Sequence, residues 1–144
     1  MKQSIIGRFS ILAVLFLTSQ GAAALDLKVG KWSFTSTTAM PMMAPMVETT
    51  EECIAEGYDA LAEIKNGLVE GGMQCDVSVT VDTATELNGS LSCEILGAGN
   101  MEGTLKFVAQ GDTASSSLLM SMDMGGQALN ISSESTARYI GACD

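Results

Sequence analysis

Two stretches of strict alternation, "CDVSVTV" (residues 75–81) and "LNGSLSCEI" (residues 87–95), constrain this chain more than any other feature. In the first, Cys75, Val77, Val79 and Val81 share one phase, and Asp76, Ser78 and Thr80 the other. In the second, Leu87, Leu91, Cys93 and Ile95 fall in one phase. Successive side chains of a strand point to opposite faces, so each stretch reads as a half-buried antiparallel strand. Folding the first onto the second about Ala84 sets Cys75 opposite Cys93, Val77 opposite Leu91 and Val81 opposite Leu87. Both apolar faces then lie on one side, and the two cysteines fall within disulfide reach. Asn88-Gly89 is the stronger local turn signal, but a turn there opposes apolar positions with polar ones. A slip of one residue turns a whole face over, so parity decides against it.

The same phase runs on. Gly97 to Gly99 connect to a stretch in which Met101, Gly103, Leu105, Phe107 and Ala109 face inward. Gly111-Asp112 suits a two-residue hairpin, after which Leu118, Met120, Met122 and Met124 take the inward phase. Gly125-Gly126 suits another, returning through Leu129 and Ile131. Each turn length preserves the inward face, and such mutual agreement is what a sequence specifying one fold shows. Upstream, "GKWSFTST" is a further strand with Trp32 and Phe34 in phase, Pro41 and Pro45 interrupt pairing, and Val47 to Cys53 suit a strand. "GYDALAEIKNG" (residues 57–67) carries Leu61 and Ile64 at helical spacing with Leu68 just beyond, and Gly67 reads as its stop. The expectation is an all-β domain with one short helix among six to eight strands. Its antiparallel meander curls into a small barrel-like sheet held by two disulfides.

The first 24 residues read as a secretion signal: Lys2 and Arg8 precede the apolar "ILAVLFL", and Ala22 and Ala24 fit a cleavage site after Ala24. The apolar run is too short to span a bilayer. Residues 25–144 then form one domain of 120 residues. The leader holds two of the seven basic residues and none of the seventeen acids. The remainder therefore carries five against seventeen, a net charge of −12. Such a chain is repelled by nucleic acid and by anionic membranes, and a charged partner would be cationic. Four cysteines in a small exported domain read as two disulfides. With Cys75 bonded to Cys93, Cys53 is left for Cys143; Cys53 to Cys75 across the helix is the rival pairing.

The segments "VGKW", "MPMMAPM", "ECI" and the ending "RYIGAC" together resemble the domain of unknown function 3617, a family of small exported proteobacterial proteins. The matching positions are Gly30 and Trp32, Met40 to Pro45, Cys53 and Ile54, then Arg138 and Ile140 to Cys143. Two departures stand out: Tyr139 replaces the second Arg of the ending, and "AEG" follows Ile54 in place of Pro-Glu-Asp. The resemblance implies an exported, periplasmic small domain, and it supplies no catalytic residues.

Histidine is absent, which removes the usual general base, the Ser-His and Cys-His nucleophile systems and the commonest zinc ligand. Oxidised cysteines leave no thiol chemistry, and the acids of "ETTEE" (residues 48–52) read as a solvated strand edge. No enzyme, cofactor or metal is expected from these residues. What remains unusual is methionine: Met40, Met42, Met43 and Met46 form one cluster, and Met120, Met122 and Met124 another. Flexible thioethers line adaptable apolar surfaces. The expected function is therefore non-enzymatic binding of a hydrophobic small molecule or peptide in a groove lined by Trp32, Met40, Met42, Met120 and Met122. One alternative is a Cu(I)-binding chaperone or sensor, because thioethers are soft ligands. Another is a structural or protein-interaction module of the cell envelope.

Overall fold

In the computed structural model, which describes residues 25–95, 97 and 99–144, the alternating stretches pair as their phase requires. Cys75 stands opposite Cys93 and Val77 opposite Leu91. The expected leader, residues 1–24, lies outside the described residues. The elements in chain order are β1 (Gly30–Ala39), β2 (Met46–Ile54), α1 (Ala60–Glu70), β3 (Gln74–Asp82), β4 (Glu86–Ile95), β5 (Gly99–Gln110), β6 (Thr113–Asp123) and β7 (Ala128–Gly141). The strands form one antiparallel sheet in the order β2-β1-β7-β6-β5-β4-β3. A continuous meander from β3 to β7 thus returns to pair with β1, whose other side carries β2.

The sheet curls but does not close, since β2 and β3 remain its two edges. The connection between these edges is α1, which packs beside β3 and brings Ala60 and Leu68 into the core. Asp59 caps α1, its carboxylate accepting the N–H groups of Leu61 and Ala62 at 3.0 Å each. The helix runs through Gly67 rather than ending there, because Leu68 is buried and holds the last turn against the core. It ends one turn later, where Gly71 donates to Gly67 O and the left-handed Gly72 (φ 77°) donates to Val69 O.

Inward residues of β4 and β5 make the centre of the core: Leu87, Leu91 and Cys93, then Met101, Leu105 and Ala109. The pairing of Val81 with Leu87 is corrected by a register shift between Val79 and Val81, which puts Val81 opposite Asn88 and Leu87 opposite Asp82. An extra residue in one strand of a pair is a bulge, and it increases the local bend. The bend continues through two glycines. A Cβ on Gly89 would lie 2.8 Å from the carbonyl oxygen of Ser78, and one on Gly103 2.5 Å from that of Leu119. At both places the neighbouring strand occupies the space a side chain needs, which permits tight coiling.

Residues 25–29, to which the alternation assigns nothing, form a strap. Leu25 and Leu27 are buried, and the Asp26 N–H donates to Ala84 O (2.8 Å) in the β3–β4 turn. Both disulfides form: Cys75–Cys93 joins adjacent strands, and Cys53–Cys143 ties the end of β2 to the chain's last residues. Among the described residues no helix is long and apolar enough to cross a membrane.

Candidate functional site

β1 ends at Ala39 opposite Ser132, so the segment 40–45 leaves the sheet at the level of Ile131 in β7. Beyond that level β6 and β7 run on for three more pairs, to Asp123↔Ala128, as a hairpin closed by Met124 N–H donating to Gln127 O (2.9 Å). Asp123 secures that turn by accepting the Gly126 N–H at 2.7 Å. The two methionine clusters, far apart in the chain, therefore occupy the same end of the sheet. Within the β1–β2 connection Pro41 and Pro45 keep the backbone out of the ladder. Met42 takes a left-handed φ of 66° and is fully exposed, while Met43 and Met46 are 58% and 50% exposed.

On the inner face at this end, Met120 and Met122 are half-buried against the core beside Leu118. Met122 stands opposite Met101, which in turn pairs with Cys93 and through it with Cys75, so one row across four strands carries sulfur at each position. Met120 lies over Gly103, its Cγ 3.1 Å from where a Cβ would be. Leu129 and Ile131 of β7 extend this half-buried apolar surface toward the Met loop. Met124, expected inward, is 57% exposed, because the ladder ends at Asp123 and the turn swings it away from the sheet face.

Trp32 does not join this surface. It lies eight residues back along β1 from Met40, about 26 Å at the rise of an extended strand. Its side chain is fully buried, the indole N–H donates to Lys28 O at 2.8 Å, and Tyr139 meets it edge-on at 5.9 Å. The Lys28 ammonium sits 3.9 Å above the Tyr139 ring and 2.9 Å from Asp112. The hydrogen bond to Asp112 and its negative charge hold the Lys28 pKa above the usual lysine value. Of the five residues expected to line one groove, Met40, Met42, Met120 and Met122 gather at one end and Trp32 seals the other.

Residues 27–143 match the model of a family described as protein of unknown function (DUF3617). The chain belongs to that family. Comparison with curated proteins and with solved structures returns no match. In this DUF3617 domain the residues that carry the resemblance have a common location. Gly30 admits the Tyr139 ring and the Gly141 carbonyl where a side chain would otherwise sit. Trp32 and Ile54 lie in the core with Tyr139, the residue that departs from the family ending, and Cys53 is bonded to Cys143. These segments build the sealed end of the curled sheet. The Met/Pro segment, with Arg138 and Ile140, is the part of the resemblance left exposed.

The DUF3617 domain also has a concavity that alternation does not announce: a transverse trough of about 780 Å³ across β3 to β7, lined mainly by outer-face residues and reaching Met120 and Ile131. Its walls include Ser78, Ser90, Thr104 and Ser121, with the carboxylates of Asp76 and Glu102. The outward phases of β3 and β4 already show this chemistry as Ser78, Ser90 and Ser92, but three strands must be aligned before the hydroxyls form a wall. Among the described residues no three His, Cys, Asp or Glu gather as a metal-binding group. Glu86 has its pKa lowered by the hydrogen bond from Asn88 (2.7 Å) and by the charge of Lys106, an ion pair on the sheet's outer face.

Proposed function

We propose that the domain is a non-enzymatic periplasmic binding module that takes up an apolar small molecule or peptide on its Met-rich end. The observation that carries this reading is the convergence of two methionine clusters, from separate hairpins, at one end of the sheet. Met42, Met43, Met46 and Met124 stand exposed there, continuous in level with half-buried Met120, Met122 and Ile131. A contiguous exposed apolar patch is a mark of an interaction site. Thioethers on unbranched chains repack around ligands of different shape, which suits an adaptable surface better than a rigid pocket. The opposite end is stapled and filled, so a ligand can seat without disturbing the core. Two disulfides fit an oxidising, exported setting.

The test is equilibrium binding of the fluorescent apolar probe 1-N-phenylnaphthylamine. Combined Met42→Ser, Met43→Ser and Met46→Ser substitution, all at exposed loop or edge positions, is expected to weaken binding at least tenfold. Unchanged affinity in the triple variant, or loss of affinity on Leu119→Ser in the outer trough instead, refutes the assignment. A second reading, a Cu(I) site, is favoured by Met101 facing Met122 with Met120 two residues along the same face. It requires a defined Cu(I) stoichiometry in competition titration that disappears in the Met120→Leu, Met122→Leu variant.

A further inference from the structure

The unpaired edge of strand β2 is a second surface, which meets the methionine end only at its first residue, Met46. It pairs with β1 from Thr38↔Met46 to Gly30↔Ile54 with no register shift, and its other side is unpaired. Eight of its nine residues are exposed. An edge of this kind turns alternate N–H and C=O groups outward and is a template for another strand. Bulges, prolines, charged side chains and covering helices usually blunt such edges. Of these, "MVETTEECI" has charge alone, in Glu48, Glu51 and Glu52, whereas the opposite edge, β3, has a bulge beside Val79 and α1 against it.

Acid side chains decide what can add. Glu48, Thr50 and Glu52 share the inner face, opposite Ser36, Phe34 and Trp32. Glu51, on the outer face, is bound to Lys31 at 2.8 Å. Neither Glu48 nor Glu52 enters an ion pair among the described residues. The negative field reaches beyond the strand. The Tyr58 hydroxyl has its pKa raised by burial and then by the charges of Glu63, Glu52 and Asp59. A second copy of the chain is a poor occupant. Antiparallel self-pairing with greatest overlap turns about Thr50 and sets Glu48 against Glu52 on both sides of the axis. Like charges directly opposite destabilise a strand pair.

We propose that β2 accepts an extended cationic polypeptide segment of another protein as an added antiparallel strand. Its Lys or Arg residues, four apart on one face, sit opposite Glu48 and Glu52. Main-chain bonds supply affinity and the alternate side chains supply selectivity, as in other strand-addition complexes. Glu48 and Glu52 suppress self-association while leaving this pairing open.

The probe is a blocked peptide as long as β2, made of Thr and Val with two lysines four residues apart. It is added to the oxidised, isotope-labelled domain. The expected result is slowed amide exchange at alternate residues of 46–54 and saturable binding. Affinity is expected to fall at least tenfold for the Glu48→Lys, Glu52→Lys variant, and equally for a peptide N-methylated at alternate backbone amides. Binding retained by the N-methylated peptide means simple charge attraction and overturns the proposal. So do protection at β3, undiminished binding to the charge-reversed protein, or no binding. Should charge reversal impair folding, Glu48→Gln with Glu52→Gln gives the same readout. The Met42→Ser, Met43→Ser variant, both changes lying in the β1–β2 connection outside β2, is expected to bind the peptide normally, which separates this result from the fate of the apolar-ligand reading.

Discussion

Replacing Gly103 with alanine should destabilise the domain by about 2–3 kcal/mol, although the residue is not in a left-handed conformation and its substitution adds one methyl group. The added carbon falls 2.5 Å from the Leu119 carbonyl oxygen and 3.1 Å from Met120 Cγ. Ordinary contact begins near 3.4 Å, so about 0.9 Å is missing against the carbonyl. The thioether can rotate away. The carbonyl cannot, because Leu119 is laddered to Thr104 on one side and Ser132 on the other. Strands normally lie about 4.8 Å apart, so relief means opening the β5–β6 pair locally by about a fifth. Overpacking costs about 1–3 kcal/mol, and a backbone neighbour places this case in the upper half of that range. For a domain of this size the midpoint of thermal unfolding should drop by about 8–12 °C. Urea unfolding of the oxidised protein, followed by the fluorescence of its single tryptophan, measures the loss directly. Met120→Ala in the same background separates the two collisions, and coupling between the substitutions should stay below about 1 kcal/mol. A Gly103→Ala protein within about 0.5 kcal/mol of the parent, or full recovery on truncating Met120, refutes the reasoning.

Three further outcomes follow from other parts of the molecule. Cysteine-to-alanine removal of Cys53–Cys143 (separation 90) should cost about 4–5 kcal/mol, and of Cys75–Cys93 (separation 18) about 3 kcal/mol, in the chain-entropy model; urea midpoints of the two double variants rank them. Trp32→Phe leaves the Lys28 carbonyl without its donor and opens a void in the sealed end, costing about 2–3 kcal/mol by circular-dichroism unfolding. Glu86 has a depressed folded pKa, so its contribution is present above the ordinary carboxylate value of 4.5 and lost as pH falls through the folded one. Glu86→Gln should therefore flatten the acid limb of the urea midpoint below about pH 4.5, with the parent's slope unchanged elsewhere.

Parity made the faces legible and left the levels obscure. Cys75 opposite Cys93, the inward phase of β5, and the hairpins at Gly111-Asp112 and Gly125-Gly126 follow from counting residues in steps of two. The same count places Trp32 and Met40 on one face, but the seven residues between them hold the two about 26 Å apart along β1, so a shared groove does not follow. The level of Met120 and Met122 against β1 depends on the register of β7, a pairing between the last and first strands that no short turn dictates. The bulge after Val79 is invisible for a related reason: one extra residue is absorbed only when the partner strand is in place. The strap of Leu25 and Leu27 carries just two alternating positions, too few for periodicity to register. Helix termination fails more locally. Gly67 is a plausible stop by conformation, but burying Leu68 outweighs the roughly 1 kcal/mol that a glycine costs inside a helix.

The two ends of the sheet differ in what a substitution there can reveal. At the sealed end, Gly30, Trp32, Ile54, Tyr139 and the Cys53–Cys143 bond depend on one another for space or closure. A change in any of them is expected to register as lost stability, whatever the domain binds. Gly30, Trp32, Ile54 and the bonded cysteines, which match the family pattern, are therefore poor guides to its partners. At the other end, Met42, Met43 and Met46 contribute little to the core, since their side chains are at least half exposed. Burying such side chains in water-poor contact would release about 25 cal/mol per Å² of apolar surface, a gain the free domain forgoes. Substitutions there should leave unfolding midpoints nearly unchanged while altering binding. Large stability losses at these three positions, with no change in ligand affinity, mean that the loop is packing after all.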